Sequence, residues 1–208
     1  MPAIVLSGFD PFQGATVNPS WEVARELDGQ RVAGATIHAV RLPCTFAHRA
    51  RLLLDAVAQH APVLVLAIGQ AAGRPDLSFE RVGINVMDAA IADNAGQCPL
   101  DEPVVADGPA ACFSTLPLRA MVAAARRAGV PASISNTAGT YVCNQVLYLL
   151  QRALAGQGGV RSGFLHVPLL PGQAVDAPGQ PAQPSMALAL QCQGVLAALA
   201  AALAETTP

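Results

Sequence analysis

The chain has 208 residues, of which 52% are apolar and only 12% charged, enough for a substantial core and incompatible with a disordered or low-complexity chain. Fourteen acidic residues against twelve basic ones leave a net charge of -2, and every basic residue is an arginine. No basic run is longer than Arg126-Arg127, which argues against a nucleic-acid surface.

Met1-Pro2-Ala3-Ile4-Val5 carries no basic residue ahead of its apolar run, so no signal peptide is read and a cytoplasmic protein is expected. Ala3 to Ser7 predicts a buried strand ending at Gly8. Asn18-Pro19-Ser20 is a helix start, since Asn accepts from free N–H groups and Pro has the φ of the first turn. Trp21, Ala24 and Leu27 then share one face, and Gly29 ends the helix. Thr36 to Leu42 predicts a strand and Phe46 to His60 a helix. Val63 to Ile68 is uninterrupted apolar sequence stopped by Gly69, as in a strand covered on both faces. Asp76 to Pro117 breaks the pattern with Pro99, Pro103, Pro109 and several Asp residues; it reads as a short hairpin followed by a long excursion, and loops of that length are usually functional. Pro117 to Ala128 predicts a helix, Ala132 to Asn136 a strand, Tyr141 to Leu154 a helix and Gly163 to Val167 a strand. Gly156 to Ser162 and Pro171 to Pro184 read as loops, the latter mobile. Pro184 to Ala204 closes the chain as a helix. Its apolar stretch is broken by Gln191, Gln193 and Gly194, short of the roughly 20 strongly apolar residues a membrane span needs, so it reads as a buried amphipathic helix and no membrane partner is expected.

Strands alternating with helices predict an α/β fold with a mainly parallel sheet and helices on both faces. No linker or repeat divides the sequence, so residues 1–208 read as one domain. Cys44, Cys98, Cys112, Cys143 and Cys192 are odd in number and lack any Cys-x-x-Cys pair, a poor framework for disulfides or zinc. Most are expected to be small buried hydrophobes. Gly69-Gln70-Ala71-Ala72-Gly73 is neither a dinucleotide fingerprint nor a phosphate loop, and no Gly-x-Ser-x-Gly elbow occurs. Neither a metal nor a cofactor is expected.

The polar candidates lie near predicted strand ends. Cys143 stands near a helix N-terminus, where unpaired N–H groups favour thiolate over thiol. His166 ends the last strand, at the sheet edge where α/β folds place their sites. From position alone, Cys143 fits a reactive thiol or a buried structural cysteine, and His166 a base or a structural histidine. Glu80 fits a carboxylate paired with a nearby Arg or a solvated one. Together the three match the needs of a cysteine hydrolase: a thiol, an imidazole base and a carboxylate to fix its tautomer.

Ser7-Gly8-Phe9-Asp10-Pro11-Phe12 with Asn18-Pro19-Ser20, Glu80-Arg81-x-x-x-Asn85, and Phe113-Ser114-Thr115-Leu116-Pro117 occur in that order. They are followed by Ser135-Asn136-Thr137-Ala138-Gly139-x-Tyr141-x-Cys143-Asn144, Gly163-Phe164-x-His166-Val167-Pro168 and Pro184-Ser185-Met186. These blocks, spanning nearly the whole chain, resemble the pyroglutamyl peptidases (pyrrolidone carboxyl peptidases). The resemblance implies a cytosolic, cofactor-independent cysteine peptidase that removes N-terminal pyroglutamyl residues from peptides. It further implies a three-layer α/β/α sandwich and a homo-oligomer, a tetramer. Matched block by block, Cys143 becomes the nucleophile, His166 the base and Glu80 the residue that orients it. Phe9 and Phe12 would wall the slot for the lactam ring, Gln70 would lie beside the ring and Tyr141 near the nucleophile. Backbone N–H groups at the start of the Cys143 helix, or in the Gly69-Gln70-Ala71 turn, would hold the oxyanion.

The chain also departs from the family. Asp88-Ala89-Ala90-Ile91-Ala92-Asp93-Asn94 stands where relatives commonly read Asp-Ala-Arg-Ile-Pro-Asp-Asn. Ala90 therefore lacks an arginine, which Arg74 or Arg81 would have to replace in space. Reduced turnover is expected, with a weakly active or non-catalytic binder of pyroglutamyl peptides as the alternative. Gln13 stands in place of the usual Gly, with an effect on the loop's φ.

Overall fold

The apolar run at 63–68 lies at the middle of the protein. In the computed structural model, which describes residues 1–48, 50–175 and 183–205, it forms strand β4 (Leu64–Gln70), buried from Leu64 to Gly69. On one side of β4 lie β1 (Ala3–Phe9), β3 (Ala35–Leu42) and the short β2 (Arg31–Val32). On the other lie β9 (Arg161–Val167), β5 (Leu77–Glu80) and β8 (Ala132–Ser135), giving the order β2-β3-β1-β4-β9-β5-β8. The β1–β3, β1–β4, β4–β9 and β5–β8 pairs are parallel, whereas β2–β3 and β5–β9 are antiparallel.

Because side chains alternate across a strand, β4 feeds two cores. Leu64, Leu66 and Ile68 pack with α1 (Pro19–Leu27), α3 (Leu118–Arg127) and α6 (Leu188–Ala204). Val65 and Ala67 share the second core with α2 (Arg51–His60) and α4 (Val142–Leu154). The result is the expected mainly parallel sheet between two helical layers. The Asn18 cap is as read: its side chain accepts from the Ser20 N–H at 3.1 Å, with Pro19 in the first turn.

Several boundaries differ from the sequence reading. Residues 76–117 do not begin with a self-contained hairpin. β5 joins the main sheet, while β6 (Val82–Ile84) pairs with β7 (Ala111–Phe113) in a separate two-stranded sheet, so the long excursion lies between the two strands. Helix α2 starts at Arg51, not Phe46, because the Phe46 N–H donates to the buried Asp93 carboxylate at 2.7 Å and the chain enters the helix through Ala50 at φ +61°. α6 begins at Leu188 instead of Pro184, since Ser185 makes a bridge with Leu169 and the Met186 N–H donates to Leu169 O. Part of the 156–162 loop is already β9, and Pro171–Val175 forms the short helix α5. The remainder of the expected mobile loop, 176–182, lies outside the described residues. Only Cys44 and Cys192 are buried; Cys112 and Cys143 are half-buried and Cys98 is exposed, because Cys98 and Cys112 fall on the excursion and its edge strand.

Candidate active site

The site forms at the C-terminal edge of β4 and β9, where Gly69 and His166 are register partners. Aligned residues of a parallel pair direct their side chains to the same face, so Gly69 leaves an empty position beside the imidazole. Cys143, the second residue of α4, fills it: a Cβ built on Gly69 would stand 2.8 Å from Cys143 Sγ and 2.9 Å from Phe164 Cζ. Glycine is thus the one residue that seats the sulfur there. Asn144, fully buried, holds the helix start in place. It accepts from the Ile84 N–H and donates to Ile84 O and Val86 O, each at 2.9 Å, so a side chain occupies the outer edge of β6.

Glu80 reaches the same cluster because β5 runs beside β9, with Glu80 opposite Phe164 and Ser78 opposite His166. His166 Nδ1 lies 2.7 Å from Glu80 Oε1. Arg74 Nη1 donates to that same oxygen at 2.6 Å, and its Nη2 donates to Thr137 O at 3.0 Å. Glu80 is completely buried, and its Oε2 has no hydrogen-bond partner. Arg74 therefore ties the carboxylate to the segment that leads into α4.

Burial lowers the His166 pKa below its ordinary 6.5, against the opposing pull of Glu80, and the Arg74 cation lowers it further. Burial also pushes the Cys143 thiol well above the ordinary range, assisted by Cys44 and Glu80; Arg74 and the backbone N–H of Cys143 oppose this less strongly. The helix N-terminus is where the sequence puts it, yet burial raises the thiol in spite of it. Desolvation outweighs the partial charge of the helix end.

Tyr141 has its hydroxyl on Ala92 O at 3.2 Å, and its phenol is raised in pKa by burial. Its ring lies 6.3 Å from Phe12 and 5.3 Å, edge-on, from Phe46. Phe9 packs 6.3 Å from Phe164. These rings and Cys44, whose thiol burial pushes up to about 12, belong to one apolar cluster with Cys143. Sequence alone does not bring Phe46 and Cys44 into this cluster: Phe46 opens the segment read as helix, and Cys44 lies in the turn before it. Their signal was Asp93, whose carboxylate also accepts from the Ala95 and Gln97 N–H groups, each at 2.8 Å.

Gln70 closes β4 one residue past Gly69, and its Oε1 accepts from Gln173 Nε2 at 3.0 Å. The Ala71 N–H of the same turn donates to Val167 O, which removes it as an oxyanion donor. At α4 no side chain caps the first turn, so its leading N–H groups remain for that purpose. Of the two arginines considered for the position of Ala90, Arg74 acts on Glu80, His166 and Cys143, whereas Arg81 borders the α3 side with Leu116 and Leu118. Ala90 is exposed on the strip where Asp88 exchanges two hydrogen bonds with Thr140. Gln13 adopts φ +53°, a conformation suited to glycine.

The family model described as pyroglutamyl peptidase matches residues 2–205. The pyrrolidone-carboxylate peptidase of Klebsiella pneumoniae (strain 342) is 52% identical over 206 residues, covering 99% of this chain and 95% of the relative. That of Cupriavidus taiwanensis is 53% identical over 205 residues, 98% and 94% of the two chains. Among solved structures, pyroglutamyl peptidase I of Bacillus amyloliquefaciens superposes with a TM-score of 0.93 at 36% identity, over 99% of this chain and 98% of the other. A mutant pyrrolidone carboxyl peptidase from Pyrococcus furiosus gives 0.92 at 36% identity, over 97% and 98%.

Proposed function

The chain belongs to the pyroglutamyl peptidase family, and from that premise we propose how its residues divide the work of removing an N-terminal pyroglutamyl residue from a peptide. It is a cysteine-type peptidase. Cys143 is the nucleophile, His166 the base and acid, and Glu80 the group that orients the imidazole. The observation that carries this reading is the 2.7 Å His166–Glu80 contact beside a sulfur seated over Gly69.

Burial raises the thiol and lowers the imidazole, so the sulfur is activated as it attacks. His166 takes the thiol proton while the S–C bond forms at the pyroglutamyl carbonyl, and the carbonyl electron pair moves to oxygen. The uncapped N–H groups of α4 hold that oxyanion. Collapse breaks the C–N bond, and the imidazolium gives its proton to the departing amine. Water then attacks the thioester with His166 again accepting a proton, the S–C bond breaks as the imidazolium returns that proton to the sulfur, and pyroglutamate leaves. Glu80 accepts from Nδ1–H throughout, keeping Nε2 as the reactive nitrogen. Phe9, Phe12 and Tyr141 enclose the compact uncharged ring, joined by Phe46 and Cys44, while Gln70 borders it. A free α-ammonium would be expensive to desolvate among them.

Residues 1–208 act as one catalytic domain. The protein assembles as a homotetramer, supported by the uncharged 17-residue α6 and by exposed Leu100 and Phe113; light scattering tests this. A cytoplasmic location is supported by five free cysteines. No helix among the described residues is long and apolar enough to cross a membrane. Nothing in the comparisons supports a non-catalytic binder.

A pyroglutamyl chromogenic amide tests the assignment. Cys143→Ala is expected to lose on the order of 10³-fold or more in kcat, and iodoacetamide to inactivate the wild-type chain; unaffected hydrolysis rejects Cys143 as nucleophile.

A further inference from the structure

A groove of about 600 Å³ opens beside the site, with residues 14–17 as one wall and Leu169, Leu170, Gly172 and Gln173 as the other. The first wall follows β1 and Phe12; the second follows β9, three residues past His166. Both loops therefore leave the strands that flank β4. Gln173 joins the parts with one side-chain amide: its Oε1 accepts from the Leu170 N–H at 2.9 Å, and its Nε2 donates to Gln70 Oε1 at 3.0 Å and Val17 O at 3.3 Å. The groove is thus built onto Gln70, the neighbour of the glycine that seats the sulfur.

We propose that this groove is the subsite for the peptide residues that follow the pyroglutamyl group, and that it selects uncharged, apolar side chains over charged ones. The proposal rests on the peptidase reading above and extends it to the leaving side of the scissile bond. Two observations lead there. The departing nitrogen must face His166 to receive its proton, and the chain beyond His166 turns directly into the second wall. Finally, Gln70, one residue past the glycine that seats the sulfur, accepts from Gln173 of the groove wall, so a substrate crossing the end of β4 passes from the sulfur to the groove. None of the described residues lining the groove is charged, so a carboxylate or ammonium entering it loses hydration without gaining a partner among them.

The test compares kcat/KM for pyroglutamyl-Leu-Leu-amide, pyroglutamyl-Glu-Glu-amide and pyroglutamyl amide, whose ammonia leaving group is too small to enter the groove. The wild-type chain is expected to cleave the leucyl peptide at least fivefold better than the glutamyl one; a smaller ratio overturns the proposal. Gly172 has open space where a Cβ would stand, so Gly172→Phe plugs the groove without a backbone clash. It is expected to reduce the ratio of leucyl peptide to pyroglutamyl amide at least fivefold, and an unmoved ratio overturns the subsite. Leu170→Lys is expected to raise the glutamyl peptide relative to the leucyl one, a gain that misfolding cannot produce; no gain counts against the proposal. If neither the amide nor any pyroglutamyl peptide is cleaved, the peptidase reading falls and takes the subsite with it. If the amide is cleaved and the ratios hold still, the subsite alone falls.

Discussion

Gly69 is the residue on which the geometry turns, because it has no side chain where the sulfur sits. Gly69→Ala would set a methyl 2.8 Å from Cys143 Sγ, far inside ordinary contact, and move either the sulfur or Phe164. A displacement of about 1 Å at a reacting atom costs on the order of 10²-fold, so kcat on the chromogenic amide is expected to fall by about that much; wild-type kcat in the alanine variant would show that the sulfur does not react from this seat. Arg74 sets the pH dependence. His166 must be neutral to accept the thiol proton, and its pKa is held below 6.5, so the acid limb of kcat/KM is expected below pH 6.5. Removing the cation in Arg74→Gln leaves Glu80 free to favour the imidazolium, which moves the limb to higher pH. A pH profile of the two proteins checks this, and coincident limbs would deny Arg74 its influence. The raised Cys143 thiol adds a matching sign: alkylation by iodoacetamide should keep accelerating above pH 9, without the plateau at neutral pH that a preformed thiolate would give.

At the scale of elements, helices and strands were legible where one period ruled, and illegible where a distant partner did. The β4 run and the Asn18-Pro19 helix start needed only local chemistry. The helical pattern begins at Phe46, yet Asp93 binds the Phe46 N–H from 47 residues away, and no local signal announces that. The reversed direction of β5 is likewise a property of pairing. Of the candidate site, Cys143, His166 and Glu80 could be named as types suited to one reaction, but their convergence depends on strand order. Gln173 was hidden in a stretch read as a loop. Asn144 gives this scale its own test. Truncation in Asn144→Ala leaves the Ile84 N–H and two carbonyls without their partner, at about 1–3 kcal/mol for each buried group left unpaired. A clear drop in Tm is expected, with loss of activity as the start of α4 loosens; an unchanged Tm would mean that β6 is held by something else. On the excursion, exposed Ala90 lies near the Thr140 strip, and Ala90→Arg is expected to raise kcat by about tenfold. No gain would show that this chain does without the guanidinium.

Across the whole molecule, the sheet and its two helical layers supply rigidity, and the recognition surfaces are fastened to them from outside. Asp93 is the main fastener. Its two carboxylate oxygens accept from Phe46, Ala95 and Gln97, and the neighbouring Asn94 side chain donates to Pro11 O at 2.9 Å, so the Asp93-Asn94 pair ties together segments remote in sequence. It follows that selectivity and fold stability can fail separately. Warming or mild denaturant should open the 85–110 excursion while the β1–β4–β9 ladder still resists hydrogen exchange, and in that window the chain would keep its far-ultraviolet dichroism yet lose its ability to discriminate a cyclised terminus from an open one.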